Sequence, residues 1–200
     1  MLKRIFLAIN LPREIKKEIK NYQDRIGHEL DQACPLPNQR VSRLTDPENL
    51  HLTLAFLGNI KEDRLMDLYG VVERSVSNQE TLKIYLTQTV YGPPGKTPPR
   101  MIWLQIEPTE ELSQLKKTLN ENLERAEGFY FTREKRDFSP HITLARLNTL
   151  AWSRIEPEER PVVEEEINLL FKPKSVDVME SELRKKGPKY SCLKSFSFVS

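Results

Sequence analysis

Histidine is scarce in this chain, three in 200 residues, and two of the three sit in matching tetrads. His51-Leu52-Thr53-Leu54 and His141-Ile142-Thr143-Leu144 share their first, third and fourth residue types. Two imidazoles and two hydroxyls in a repeated pattern suit acid–base chemistry on a small anion. One imidazole can take a proton from an attacking water while the other, protonated, gives one to a departing oxygen. In-line displacement at phosphorus needs those groups on opposite sides, which two facing strands supply. The threonine hydroxyls can hydrogen-bond the non-bridging oxygens of a phosphate. A protonated leaving group and hydrogen-bonded charge leave no step that requires a metal. No metal and no cofactor are expected: the two histidines with Asp137 lack any usual ligand spacing, and threonines are poor ligands.

Strands must position these groups. On a strand, residues i and i+2 point the same way, so His51 and Thr53 share a face, as do His141 and Thr143. Strict alternation over 50–57 puts Leu50, Leu52, Leu54 and Phe56 on one side and His51, Thr53, Ala55 and Leu57 on the other. The same rule sets Arg146 with Ile142 and Leu144, away from the histidines, unless a bend turns it back. Before the first tetrad, residues 2–9 read as a buried strand. A helix opening at Pro12 follows, with Ile15, Ile19, Tyr22, Ile26 and Leu30 inward, and the run 34–38 breaks it. Between the tetrads come a helix over 62–77 with Met66, Tyr69, Val72 and Val76 inward, and a strand near 82–91. A Pro- and Gly-rich loop leads from there to a strand over 101–106. Thr109 can cap the next helix, whose stripe is Leu112, Leu115, Leu119, Leu123 and Ala126. After the second tetrad, 156–166 reads as an acidic, solvated segment. Strands near 167–181 and 192–199 are joined by a basic turn at 184–189. Each tetrad thus follows a strand and a helix, which suggests an internal duplication into two facing α+β halves.

Bulk properties set limits. The chain suits one domain spanning 1–200, made of two pseudo-symmetric lobes. A net charge of +2 does not by itself argue for nucleic acid. No segment has the apolar length of a membrane span. The apolar run at 5–9 is too short for a signal peptide, so a cytoplasmic location is expected. Cys34 and Cys192 read as isolated reduced thiols. A monomer is expected, with no membrane partner. His28 has no partner motif and reads as a packing or surface residue. Arg43 and Arg100, each before a strand, are candidate substrate contacts or solvated side chains.

The residues also resemble a known family. Lys3-Arg4-Ile5-Phe6-Leu7-Ala8-Ile9 with Leu11-Pro12, Glu48 through Gly58, Arg100-Met101-Ile102-Trp103-Leu104, Phe138 through Arg146, and Gly187-Pro188 with Tyr190 are similar to signatures of the two-histidine (2H) phosphoesterases. The branch is the RNA 2′,3′-cyclic phosphodiesterases, also called 2′-5′ RNA ligases. The resemblance implies an α+β, bilobal, duplicated LigT-like fold, with two antiparallel sheets lining a central cleft and helices outside. It implies metal-independent hydrolysis of a terminal RNA 2′,3′-cyclic phosphate, or of cyclic nucleotides, to a 2′-phosphomonoester. The reverse 2′-5′ joining would use the same site. His51 and His141 would be catalytic, with His51 drawn as acid and His141 as base. Thr53, Thr143 and Arg146 would bind phosphate. The family often carries Trp where this chain has Leu44, so Phe56 or Tyr91 would have to serve the terminal base instead. The acidic 156–166 segment would shape one side of the cleft. Two alternatives stand beside this reading: a nucleotide- or RNA-binding module of the same fold without turnover, and a phosphodiesterase acting on 2′-5′ oligonucleotides.

Overall fold

Apolar patterns of period two and of period three to four alternate along the chain, and the computed structural model turns them into strands and helices. It describes residues 1–35, 39–127, 129–133, 136–184 and 187–199. The first part holds strand β1 (Leu2–Asn10), helix α1 (Arg13–Ala33), β2 (Ser42–Leu44), β3 (His51–Lys61) and α2 (Leu65–Val76). Then come β4 (Ile84–Gly92), β5 (Met101–Ile106), α3 (Glu110–Arg125), β6 (His141–Leu147) and the short α4 (Thr149–Trp152). The last strands are β7 (Glu165–Phe171), β8 (Ser175–Arg184) and β9 (Gly187–Ser197).

Neighbouring strands run antiparallel in the order β7-β4-β5-β6-β3-β1-β8-β9, and β2 lies on β6. The order divides into two halves, β3-β1-β8-β9 and β7-β4-β5-β6. These meet through one registered pair, Leu52 with Ile142. The result is a bilobal α+β fold whose strands form one antiparallel sheet of two halves joined at that pair. Leu7, Ile9, Leu54, Leu104 and Leu144 turn one face of the sheet into the core. Helices cover that face: α1 contributes Ile15, Ile19, Tyr22, Ile26 and Leu30, and α3 contributes Leu112, Leu115, Leu119 and Leu123. Removing each such side chain from water is worth about 1.5–3 kcal/mol. Thr109 caps α3 by accepting from Leu112 N at 3.3 Å. Among the described residues, no helix is long and apolar enough to cross a membrane.

The structure corrects five expectations. A 3₁₀ turn over Glu62–Arg64 delays α2, so Leu65, Leu68, Val72 and Val76 face inward while Met66 is 71% exposed. The single strand expected near 167–181 is two strands, β7 on β4 and β8 on β1, in different halves. Pro173, which has no N–H to donate, lies between them. The acidic segment is not merely solvated. Val163 is fully buried, and its carbonyl accepts from Tyr22 Oη (2.7 Å) and from Thr89 Oγ1. None of 156–166 lines the cleft described below. The basic turn expected at 184–189 is shorter, because Arg184 ends β8 and Gly187, Pro188 and Lys189 already belong to β9; Lys185 and Lys186 lie outside the described residues, as do 36–38 of the run 34–38.

The fifth correction concerns the tetrad strands. Rungs Ala8↔Thr53 and Leu7↔Ala55 skip Leu54, and rungs Trp103↔Thr143 and Ile102↔Ala145 skip Leu144. Each strand therefore carries a β-bulge at the same place, and a bulge reverses the side-chain phase beyond it. Phe56 and Arg146, both expected on the core side, turn to the histidine side and are exposed. The sequence of buried and exposed positions is the same in His51–Leu57 and His141–Leu147.

A helix side chain meets the carbonyl of each skipped residue. Lys116 Nζ from α3 donates to Leu54 O. Gln23 Nε2 from α1 donates to Leu144 O (2.7 Å) and to Thr45 O (2.9 Å). Gln23 is buried. Gln23→Leu keeps the volume but removes both bonds, so unfolding by urea should report a loss of about 1–3 kcal/mol. An unchanged midpoint would show that the bulge does not depend on this carboxamide.

Candidate active site

Leu52 and Ile142 point into the core, 1% and 0% exposed, so their neighbours point to the opposite face. Leu52 and Ile142 are the registered pair between β3 and β6, so the histidine and threonine flanking each of them lie about that rung on the opposite face. All four line one cleft of about 1770 Å³.

Each imidazole is aimed by the carbonyl two residues before it. His51 Nδ1 donates to Asn49 O at 2.7 Å, and His141 Nδ1 donates to Ser139 O at 2.8 Å. A carbonyl only accepts, so the neutral ring keeps its proton on Nδ1 and presents Nε2. His51 Nε2 lies 3.0 Å from Thr53 Oγ1, whose hydroxyl donates to the neutral ring and accepts from the protonated one. Asn49 is itself held on two sides. It closes the 3₁₀ turn Pro47–Asn49, capped by the Asp46 carboxylate, and its Nδ2 donates to Pro188 O at 3.1 Å.

The two imidazoles have different surroundings. Phe6 and Tyr190 flank His51 at 5.0 and 5.3 Å between centroids, and Tyr190 stands edge-on at 85°. Trp103 lies flat against His141, 3.7 Å away at 15°. Burial pushes the His51 pKa below the ordinary 6.5. The bond to Asn49 O works against that shift, while the positive charges of His141 and Lys16 add to it. Among the described residues, no three His, Cys, Asp or Glu side chains gather as a metal site.

Of the further candidates, Arg146, Arg43 and Phe56 line the cleft. Arg146 and Phe56 reach it because of the bulges. Tyr91 and Arg100 do not line it. The Tyr91 hydroxyl donates to Pro161 O at 2.8 Å and its ring packs edge-on against Trp152, so it ties down the acidic segment. Arg100 precedes cleft-facing Met101, and its side chain lines a separate hollow with Lys96 and Thr149. His28 is exposed on α1. Sequence reasoning did not single out Trp103, Phe6 or Tyr190 as site residues. Trp103 is legible in retrospect as the cross-strand partner of Thr143, and Phe6 as the partner of Phe56.

Comparison with known proteins gives a consistent picture. The sequence model of the 2′-5′ RNA ligase superfamily matches residues 11–186. A Methanothermobacter thermautotrophicus protein named RNA 2′,3′-cyclic phosphodiesterase is 27% identical over 200 residues, covering 96% of this chain and 97% of its own. A Thermus thermophilus protein of the same name is 29% identical over 197 residues, covering 97% and 89%. Among solved structures, Escherichia coli LigT complexed with 3′-AMP superposes with a TM-score of 0.76 over the whole of both chains, at 24% identity. That likeness bears on the fold.

Proposed function

Because the chain belongs to the 2′-5′ RNA ligase superfamily, we propose that its cleft hydrolyses the terminal 2′,3′-cyclic phosphate of RNA to a 2′-phosphomonoester. The observation that carries this reading is the pair of Nε2-presenting imidazoles set about one rung, each with the threonine two residues on in the same cleft. Water attacks phosphorus opposite the 3′ oxygen. One imidazole takes the water's proton at Nε2 and the other delivers a proton to the 3′ oxygen, so the P–O3′ bond breaks and the phosphate stays on the 2′ oxygen. Thr53 and Thr143 donate to the non-bridging oxygens, and Arg146 brings a guanidinium into the same cleft on the side where its bulge turns it. A 5′-hydroxyl in place of water would join two RNA ends through a 2′-5′ bond by the same proton transfers.

We further assign residues 1–200 to one domain of two pseudo-symmetric lobes, acting as a monomer. The free thiols of Cys34 and Cys192 support a cytoplasmic location. Relatives named RNA 2′,3′-cyclic phosphodiesterase support the substrate class.

The test is one assay: an RNA oligomer ending in a 2′,3′-cyclic phosphate, in excess EDTA, with the product identified at both positions. A 2′-phosphate is expected without added metal. A 3′-phosphate, or activity only with a divalent ion, overturns the mechanism. Tight nucleotide binding with no turnover would favour the binding-module reading.

A further inference from the structure

The matched burial of the two tetrad strands makes one difference between them stand out. Five residues after each histidine, the bulge presents Phe56 on one wall of the cleft and Arg146 on the other. The arginine wall is reinforced. Arg43 on β2 is the direct cross-strand partner of Arg146, and both line the cleft.

Directly opposed residues of an antiparallel pair share a face, with Cβ atoms roughly 4.5–5.5 Å apart, and like charges there repel. Among the described residues, neither arginine has a carboxylate partner. The Asp46 carboxylate, also in the cleft, is engaged by the backbone N–H of Glu48 at 2.9 Å. The structure also makes room for the pair. Gly187 has φ +121°, and a Cβ there would collide with the Arg43 guanidinium, its Cζ 3.0 Å away. Two adjacent, uncompensated guanidiniums in a cleft form a fork for a phosphate. Arg146 stands three positions beyond Thr143 on a bulged strand, a spacing of roughly 10 Å or less between Cα atoms. A long arginine side chain spans part of that gap, so the fork lies about one nucleotide unit from the reacting phosphate.

We propose that Arg43 and Arg146 form a second anion subsite, which takes the phosphate ester on the 5′ oxygen of the terminal nucleoside. The cleft then prefers ends carrying that phosphate to a bare nucleoside cyclic phosphate. This rests on the cyclic phosphodiesterase reading and adds a specificity to it. That phosphate comes either from the phosphodiester of an RNA chain or from a free 5′-monophosphate.

Three substrates separate the cases: adenosine 2′,3′-cyclic phosphate, its 5′-phosphorylated form, and a diadenosine dinucleotide ending in the cyclic phosphate. With the intact protein, kcat/KM should be at least about tenfold higher for the second and third than for the first, the scale of one charge-assisted hydrogen bond. Arg43→Gln should shrink that ratio toward one. Gly187→Ala, which displaces the guanidinium without removing it, should shift the ratio the same way. A larger gain for the dinucleotide than for the 5′-monophosphate identifies the chain phosphodiester as the preferred source, and equal gains identify any 5′-phosphate. A ratio near one in the intact protein overturns the subsite, as does a ratio unchanged in both variants. A gain for the dinucleotide with none for the 5′-phosphorylated mononucleotide does so too. Turnover of none of the three overturns the functional reading itself.

Discussion

Alanine in place of His51 or His141 is expected to lower kcat on a 2′,3′-cyclic RNA end by about 10²–10⁴-fold, with KM changed far less. Both side chains are partly exposed at the cleft, so the loss should come without unfolding. The double variant should be little slower than the worse single one, because acid and base act in one step. Two single variants with near-normal rates would remove the acid–base assignment. The pH profile carries a sign. Burial disfavours the His51 cation, so this ring stays neutral as pH falls to 6.5 and gains its proton only below that value. A limb of kcat/KM governed by His51 should lie below pH 6.5 and should vanish in His51→Ala. The order of the two roles is open to a direct measurement. Burial disfavours the His51 cation and so argues for His141 as the proton donor, whereas the family resemblance draws His51 as the acid. A p-nitrophenyl phosphodiester, whose phenolate leaves unprotonated, rescues the variant that lacks the acid. Rescue of His141→Ala would follow the proton; rescue of His51→Ala would follow the resemblance.

Gly92→Ala should be nearly as damaging, though residue 92 touches no substrate. A Cβ there would stand 2.6–2.8 Å from three atoms of the Trp103 indole. That ring is buried, its N–H has no hydrogen-bond partner among the described residues, and it stacks on His141. Contact alone positions it, so a methyl group that shifts the indole also shifts the imidazole stacked on it. Overpacking of this kind costs about 1–3 kcal/mol, and a misplacement near 1 Å at the reacting groups costs on the order of 10²-fold in rate. Urea unfolding and kcat read the two losses. Trp103→Leu in the Gly92→Ala background should recover stability through coupling between contacting residues. A wild-type rate and midpoint in Gly92→Ala would show that the indole has room to move.

The tetrads, their face and the helix stripes were legible because each depends on local spacing alone. Ile15 to Leu30 and Leu112 to Leu123 point inward as their periods require. Phe56 and Arg146 were not legible. The bulges that turn them arise from register with β1 and β5 and from helix side chains far along the chain, Lys116 and Gln23. Trp103 escaped notice for the same reason: its importance lies in a cross-strand contact, and an apolar residue in a strand looks like core. The acidic segment misled because its composition is polar while its anchors, the Val163 side chain and carbonyl, make up a small part of it.

The single rung between the two halves of the sheet has a geometric consequence. Antiparallel pairing about one residue maps onto itself under a half-turn, so the contact is isologous: either strand could be replaced by a copy of the other. A half-length chain meeting its twin at that residue would carry a complete acid, base and pair of hydroxyls, but both walls of its cleft would be identical. Holding both halves in one polypeptide frees each wall to change alone. An aromatic at 56 opposite an arginine at 146 is a difference no symmetric dimer can hold, and it gives the cleft a direction in which to read a strand.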